Sequence, residues 1–216
     1  MTEPYILYSD YGSGGVAVEA ALTLAGQPFE RIEAATSDET ARESGDRVLE
    51  ANPMRQVPAL ILPGGEIMTE SAAILTRLVE LHPQARLGPG PGDPGRGQFL
   101  RWMSFVSAAI YSLYWVKDDP SRLVPDPAAQ PALVERTLER IAECWGIMER
   151  QLTPGHFILG DAMSVLDIYV ATVSRFRPGR RRFYEVAPRM GEAVRRVDEN
   201  PRLAALWLER MGPADA

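Results

Sequence analysis

The stretch Gln56-Val57-Pro58-Ala59-Leu60-Ile61-Leu62, with Pro63-Gly64-Gly65, Glu66-Ile67-Met68-Thr69 and Glu70-Ser71 after it, decides the fold. Residues 59–62 read as an apolar strand headed by a proline. Pro63-Gly64-Gly65 turns the chain, residues 66–69 return it, and Glu70-Ser71 opens a helix. Proline gives a sheet no backbone donor, so a proline heading a strand leaves neighbouring backbone groups open to another extended peptide. Glu70-Ser71 adds an acid, a hydroxyl and the free N–H groups of a helix N-terminus, which suit a carboxylate. Together the two stretches describe a site for a small peptide carrying both an amine and a carboxylate.

Upstream of this hairpin the elements alternate. Residues 5–8 (Tyr-Ile-Leu-Tyr) form a short strand, and residues 16–24 an alanine-rich helix stopped by Gly26. Residues 29–34 form a second strand, and the charged residues 38–51 a helix. With a further helix over 72–81 the order is βαβαββα, a thioredoxin-like arrangement. Its first two strands are expected to be parallel and its last two to form a hairpin. Residues 83–97, dense in proline and glycine, sustain neither helix nor strand and read as a linker. The expected organisation is an α/β domain over 1–82, the linker at 83–97 and an all-helical bundle over 98–216.

The helical half begins with a long apolar segment, 99–116. Val134, Leu138, Ile141, Trp145, Met148 and Leu152 recur at helical spacing and mark one core face. Shorter helices are expected over 165–176, 192–197 and 203–211. Ser164-Val165-Leu166-Asp167 reads as a capping box, with Met163 and Ile168 at the staple positions.

This combination resembles the glutathione S-transferase family over nearly the whole chain. Val57-Pro58 matches the family's residue before a cis-proline, and Glu70-Ser71 its Glu/Gln-Ser pair. Asn52-Pro53-Met54-Arg55-Gln56-Val57-Pro58 matches its Asn-Pro-x-x-x-Val-Pro run. Gly160, Ser164 and Asp167 match a motif of its helical domain. The resemblance implies glutathione as co-substrate. The Val57 backbone would bond its cysteinyl part beside a cis Pro58, an X-Pro bond being where cis costs least. Glu70 and Ser71 would hold the γ-glutamyl end, and Arg55 and Gln56 the glycyl end.

The resemblance also implies a thiol activated near the end of the first strand by a Tyr, Ser or Cys, aided by the N–H groups of the next helix. Within Tyr8-Ser9-Asp10-Tyr11-Gly12-Ser13-Gly14-Gly15, Ser13 is the hydroxyl in the matching window of 12 to 14. It lies between the positions expected of cysteine-type and serine-type enzymes. Its alternative role is a helix cap, serine being a preferred N-cap. Ser9, Tyr11 and backbone N–H groups are the other candidates, while Gly12, Gly14 and Gly15 let backbone approach a ligand closely. The electrophile pocket would lie between the domains, lined by Ser107, Tyr111, Tyr114 and Trp115, with Ser104 nearby. Aromatic walls suit apolar or aromatic electrophiles.

The implied activity is a glutathione transferase in detoxification, acting as a cytoplasmic homodimer. The rivals are a glutathione-dependent isomerase, lyase or dehalogenase, and a non-catalytic binding or regulatory relative.

Composition narrows the classes. Apolar residues make up 45% of the 216, enough for a packed core, and no run approaches a membrane span. The acidic start Met-Thr-Glu-Pro-Tyr is not expected to be a signal peptide. A net charge of −6 argues against nonspecific nucleic-acid binding. The single cysteine, Cys144, excludes an internal disulfide and reads as a small buried residue. The two histidines, His82 and His156, have no second ligand at metal spacing, so no metal is expected. The run Arg175-Phe176-Arg177-Pro178-Gly179-Arg180-Arg181-Arg182 reads as a solvated or acid-paired basic patch, with an anion site as the alternative.

Overall fold

The computed structural model describes residues 3–36 and 42–213. Its first half contains β1 (Tyr5–Ser9), α1 (Gly15–Ala25), β2 (Phe29–Glu33), α2 (Arg42–Asp46), β3 (Ala59–Ile61), β4 (Ile67–Thr69) and α3 (Ser71–Leu81). The sheet order is β2-β1-β3-β4. β1 runs parallel to β2, while β3 is antiparallel to both β1 and β4. This is the expected thioredoxin-like arrangement. The strands bury both faces by their period of two. Tyr5 and Leu7 face the main core with α1 and α3. Ile6 and Tyr8 face a smaller core with Val48, Ala51, Ala59 and Val57. Gly26 ends α1 in the left-handed region (φ 67°), its N–H reaching the carbonyls of Leu22 and Thr23.

The charged stretch 38–51 is less regular than expected. The helix α2 passes at once into a tighter turn over Arg47–Glu50, and residues 38–41 lie outside those described. Gly45 lies where the Arg55 guanidinium crosses α2: a Cβ there would sit 2.3 Å from its terminal nitrogen.

The linker is docked. The Leu87 carbonyl accepts from the Val165 N–H (2.7 Å). Arg96 reaches the Pro89 carbonyl (2.7 Å) and pairs with Glu80 (2.5 Å). The second half holds α4 (Arg96–Phe105), α5 (Ser112–Asp118), α6 (Gln130–Gln151), α7 (Val165–Val173), α8 (Arg181–Val186), α9 (Pro188–Asp198) and α10 (Ala204–Met211). α4 and α5 are joined by a wide π-helical turn, Val106–Tyr111, so the expected long helix is continuous but locally widened. The predicted core face of α6 is buried at Ile141, Trp145, Met148 and Leu152, with Cys144 buried beside it. No helix among the described residues is long and apolar enough to cross a membrane.

The basic run divides: Arg177, Arg181 and Arg182 are exposed, while Arg175 and Arg180 pair inward with an acid. Buried Arg180 pairs with Asp198 and donates to the Ser174 hydroxyl and the Ala171 carbonyl. Arg175 also pairs with Asp198, at 2.9 Å. These bonds anchor α8, a helix the sequence reading missed, to α7 and α9. The Arg177–Pro178 bond in the run is cis, as is Val57–Pro58. His82 accepts or donates at 2.7 Å with the Tyr5 hydroxyl, tying α3 to β1.

The capping box forms as read. Asp167 accepts from the Ser164 N–H (2.8 Å), the Ser164 hydroxyl (2.8 Å) and the Ile158 N–H (2.7 Å) while fully buried. Burial pushes its carboxyl up, and these donors pull part of that back. Asp167→Ala would strand two buried N–H groups. A loss of about 2–4 kcal/mol is expected, lowering the thermal midpoint by roughly 5–15 °C. Circular-dichroism melts should show it, with Asp167→Asn losing less.

Candidate functional site

The loop before β3 is shaped by Asn52. Its side-chain amide donates to the Gln56 carbonyl (2.9 Å), its side-chain oxygen accepts from the Met54 N–H (3.1 Å), and its carbonyl accepts from the Arg55 N–H (3.0 Å). Buried Asn52 thus folds the loop onto itself and delivers Val57-Pro58 to the sheet. The Val57 side chain packs on the smaller core. Among the described residues its N–H and carbonyl have no hydrogen bond, and β3 begins two residues later. Extending the Tyr8↔Ala59 register sets Val57 opposite Asp10, at the mouth of the β1–α1 turn.

Arg55 does something other than what the resemblance implied. Its Nε bonds Asp46 (2.7 Å), and its terminal nitrogens bond the carbonyls of Thr36 (3.0 Å) and Arg42 (3.3 Å). It ties α2 to the loop, which leaves little of the guanidinium for a ligand carboxylate. Among the described residues the Gln56 side chain has no such commitment.

Glu70 sits at φ 64°, ψ 103°, an unfavourable conformation for a residue with a Cβ, one residue before α3. Its side chain is exposed, and the first N–H groups of α3 follow it directly in the chain. Ser71 is buried, and its hydroxyl shares a 2.8 Å hydrogen bond with the phenol of Tyr169 from α7. Burial pushes the Tyr169 phenol up to about 12, with the Ser71 and Ser107 hydroxyls pulling it back.

The β1–α1 turn corrects the reading of Ser13. The one proton of its hydroxyl goes to the Asp10 carbonyl (2.8 Å), and its oxygen accepts from the N–H groups of Asp10 and Gly15 (3.2 Å each). Ser13 staples the turn and caps α1, and its proton is not free for a thiolate. Gly14 and Gly15 also serve a purpose different from the one expected. A Cβ at Gly14 would lie 2.5 Å from the Tyr111 hydroxyl, and one at Gly15 would lie 2.3 Å from the Ser9 hydroxyl. These positions make room for protein side chains.

The turn is also held from the far end of the chain. Arg210 of α10 is fully buried, bonded to Glu19 (3.1 Å) and Glu33 (2.8 Å), with the Ser9 hydroxyl at 3.4 Å. Ser9 donates to Glu19 at 2.6 Å, which removes it as a free thiol partner. The Arg210 carbonyl accepts from the Gly12 N–H (2.9 Å), and its guanidinium lies 4.1 Å from the ring centre of exposed Tyr11. Arg31 closes the cluster against Glu19, Glu33 and Glu209. Neither Arg210 nor Glu19 stood out in the sequence, because nothing local marks a pair 191 residues apart.

The four residues expected to line the electrophile pocket divide. Tyr111 reaches the β1–α1 turn, where its hydroxyl accepts from the Gly14 N–H at 3.0 Å. Ser107 turns toward Tyr169. Tyr114 is instead core, edge-on to Phe176 (5.2 Å) in a cavity of about 430 Å³ that it shares with Trp145 and Phe183. Trp115 is exposed beneath the Arg122 guanidinium (4.8 Å). Positions 111, 114 and 115 would share one face of a regular helix, but the π-helical turn over Val106–Tyr111 meets α5 between them, and the three side chains meet different partners.

This sheet and bundle define a glutathione-transferase-like protein, and comparison with known proteins agrees. Residues 7–88 match the family model described as glutathione S-transferase, N-terminal domain. The chain is 30% identical over 182 residues to maleylacetoacetate isomerase of Rattus norvegicus, covering 80% of this chain and 79% of that protein. It is 29% identical over 197 residues to YncG of Escherichia coli K12, described as an uncharacterized GST-like protein, covering 91% and 94%. The structure of a glutathione transferase homolog from Sulfitobacter with bound glutathione superposes with a TM-score of 0.83 at 25% identity, covering 98% and 100%. The chain belongs to the glutathione S-transferase family.

The Arg210 cluster makes a measurable claim. Arg210→Ala would leave Glu19 buried beside Arg31 alone and cost about 3–5 kcal/mol. Glu209→Ala, at the exposed edge of the same cluster, should cost no more than about 1 kcal/mol. Urea unfolding of the two variants should separate them clearly.

Proposed function

We propose that this protein is a glutathione transferase that joins the glutathione thiolate to a small apolar or aromatic electrophile. The observation that carries the reading is the pairing of an open Val57 backbone beside cis Pro58 with an exposed Glu70 held at φ 64° over the start of α3. In this reading the Val57 N–H and carbonyl bond the cysteinyl residue as a short antiparallel strand. Glu70 takes the γ-glutamyl amine, the Ser71 N–H and hydroxyl take its carboxylate, and the Gln56 amide takes the glycyl end. Glutathione-bound relatives of the same fold support this assignment. The division proposed above follows: residues 1–82 bind glutathione, 83–97 link, and 98–216 supply the second wall of the cleft.

The chemistry asks little of the protein beyond positioning and charge stabilisation. The thiol proton leaves to solvent and a sulfur–carbon bond forms. Either a leaving group departs with its electron pair, or a proton adds at the carbon beyond. Ser13 contributes by fixing the turn at the start of α1, where the helix dipole favours the developing thiolate. The likeness to maleylacetoacetate isomerase favours a second reading on the same site, in which the thiolate adds to an unsaturated acid, the bond rotates and the thiolate leaves unchanged. Conjugation consumes glutathione and isomerisation does not, so glutathione consumption distinguishes them. The family resemblance also supports a cytoplasmic homodimer, and light scattering at micromolar concentration should give twice the mass of 23.9 kDa.

Titration calorimetry tests the site. Glu70→Ala should weaken glutathione binding about ten- to hundredfold, since charge-assisted bonds contribute roughly 1.5–3 kcal/mol. Ser71→Ala should weaken it less and also lower stability, because it breaks the bond to Tyr169. Unchanged affinity in both variants would remove the assignment.

A further inference from the structure

We propose that the hydroxyl of Tyr111, from the π-helical turn of the helical half, is the side-chain donor that stabilises the glutathione thiolate. The inference rests on the glutathione-binding reading above. It departs from the resemblance, which places such a donor near the end of β1.

Four observations lead there. First, the serine hydroxyls near the end of β1 are committed, Ser13 donating to the Asp10 carbonyl and Ser9 to Glu19, while the exposed Tyr11 ring lies against the Arg210 guanidinium. Second, Tyr111 is already at the start of α1, accepting from the Gly14 N–H at 3.0 Å. A phenol that accepts there keeps its own proton for another partner, and among the described residues no acceptor takes it. Third, the placement is built. The missing side chain at Gly14 gives Tyr111 its room, since a Cβ would meet the hydroxyl at 2.5 Å. Phe176 (5.1 Å) and Tyr169 (6.3 Å) flank the Tyr111 ring. The π turn widens the helix at the residue that must reach across. Fourth, Tyr111 is connected to the γ-glutamyl end of the proposed site. Tyr169, beside it, bonds Ser71, and the Glu70 carboxylate is near enough for its charge to act on both phenols.

The chemistry is favourable in sign. Burial raises the Tyr111 phenol, so it remains a protonated donor throughout the working range. The titratable groups facing it are Tyr169 on α7, Asp118 on α5 and Glu70 before α3. The two carboxylates oppose a second negative charge nearby, so thiolate formation there needs a donor. The Tyr111 hydroxyl supplies it, with the Gly14 N–H polarising the phenol by donating to its oxygen.

Tyr111→Phe keeps the ring and removes the proton. Ultraviolet titration of bound glutathione should show the thiol pKa raised by about one to two units, the range of one hydrogen bond to a charged group. Conjugation should slow most near neutral pH and recover as pH rises. Binding of S-methylglutathione, whose sulfur cannot ionise, should change less than about twofold. Site-specific 3-fluorotyrosine at 111, a more acidic phenol of nearly the same shape, should lower the bound thiol pKa instead. It provides the test should Tyr111→Phe fail to fold. A folded Tyr111→Phe protein with unchanged thiol pKa, or a fluorotyrosine protein with no shift, overturns the proposal. If the unmodified protein binds neither glutathione nor S-methylglutathione, the binding reading fails, and this inference with it. The S-methyl probe keeps that failure distinct from one in the role of Tyr111.

Discussion

A buried arginine from the last helix holds the first turn of the chain in place. Arg210 has no exposed side-chain surface, and its guanidinium is spread over Glu19, Glu33 and the Ser9 hydroxyl. Taking such charges out of water costs several kcal/mol per ion, and only near-complete pairing recovers it. That demand makes the geometry narrow. Arg210 ties Ser9, Glu19 and Glu33 together, and its carbonyl holds the Gly12 N–H as well. The β1–α1 turn therefore owes its shape to α10 as much as to its own residues.

The candidate site inherits this arrangement. Once Gly12 and Ser9 are set, Ser13 staples the turn and takes the Gly15 N–H where α1 begins. Two more side chains cross from the helical half. Tyr111 meets Gly14, and Tyr169 meets Ser71. The α/β half supplies open backbone groups and an exposed acid, and the helical half supplies hydroxyls. Neither half is complete alone, and the two share one continuous core.

What was legible in the sequence was local. The hairpin after Pro58, the helix stop at Gly26 and the Ser164–Asp167 box each depend on residues within a few positions of one another. The Asn52 run was legible as a motif, although the reason for it, three hydrogen bonds that close the loop, came only from the structure. The roles that were misread depend on distant partners. Ser13 looked like a free hydroxyl because Asp10 and Gly15 bond it only after the turn has closed. Gly14 looked like room for a ligand because Tyr111 lies 97 residues away. Arg55 looked available because its partners lie on α2 and the strand end before it. The aromatic residues 111, 114 and 115 were legible as a cluster but not as three directions. The widened turn that aims Tyr111 has no marker in composition.

The central claim is that glutathione lies along Val57 with its two ends at Gln56 and at Glu70-Ser71, its sulfur over the start of α1. A crystal structure of the protein with glutathione tests this most directly. The account predicts antiparallel backbone bonds between the cysteinyl residue and Val57, the γ-glutamyl carboxylate on the Ser71 N–H, and the sulfur within hydrogen-bond distance of the Tyr111 hydroxyl. Glutathione bound away from Val57, or with its γ-glutamyl end clear of Glu70-Ser71, would contradict it.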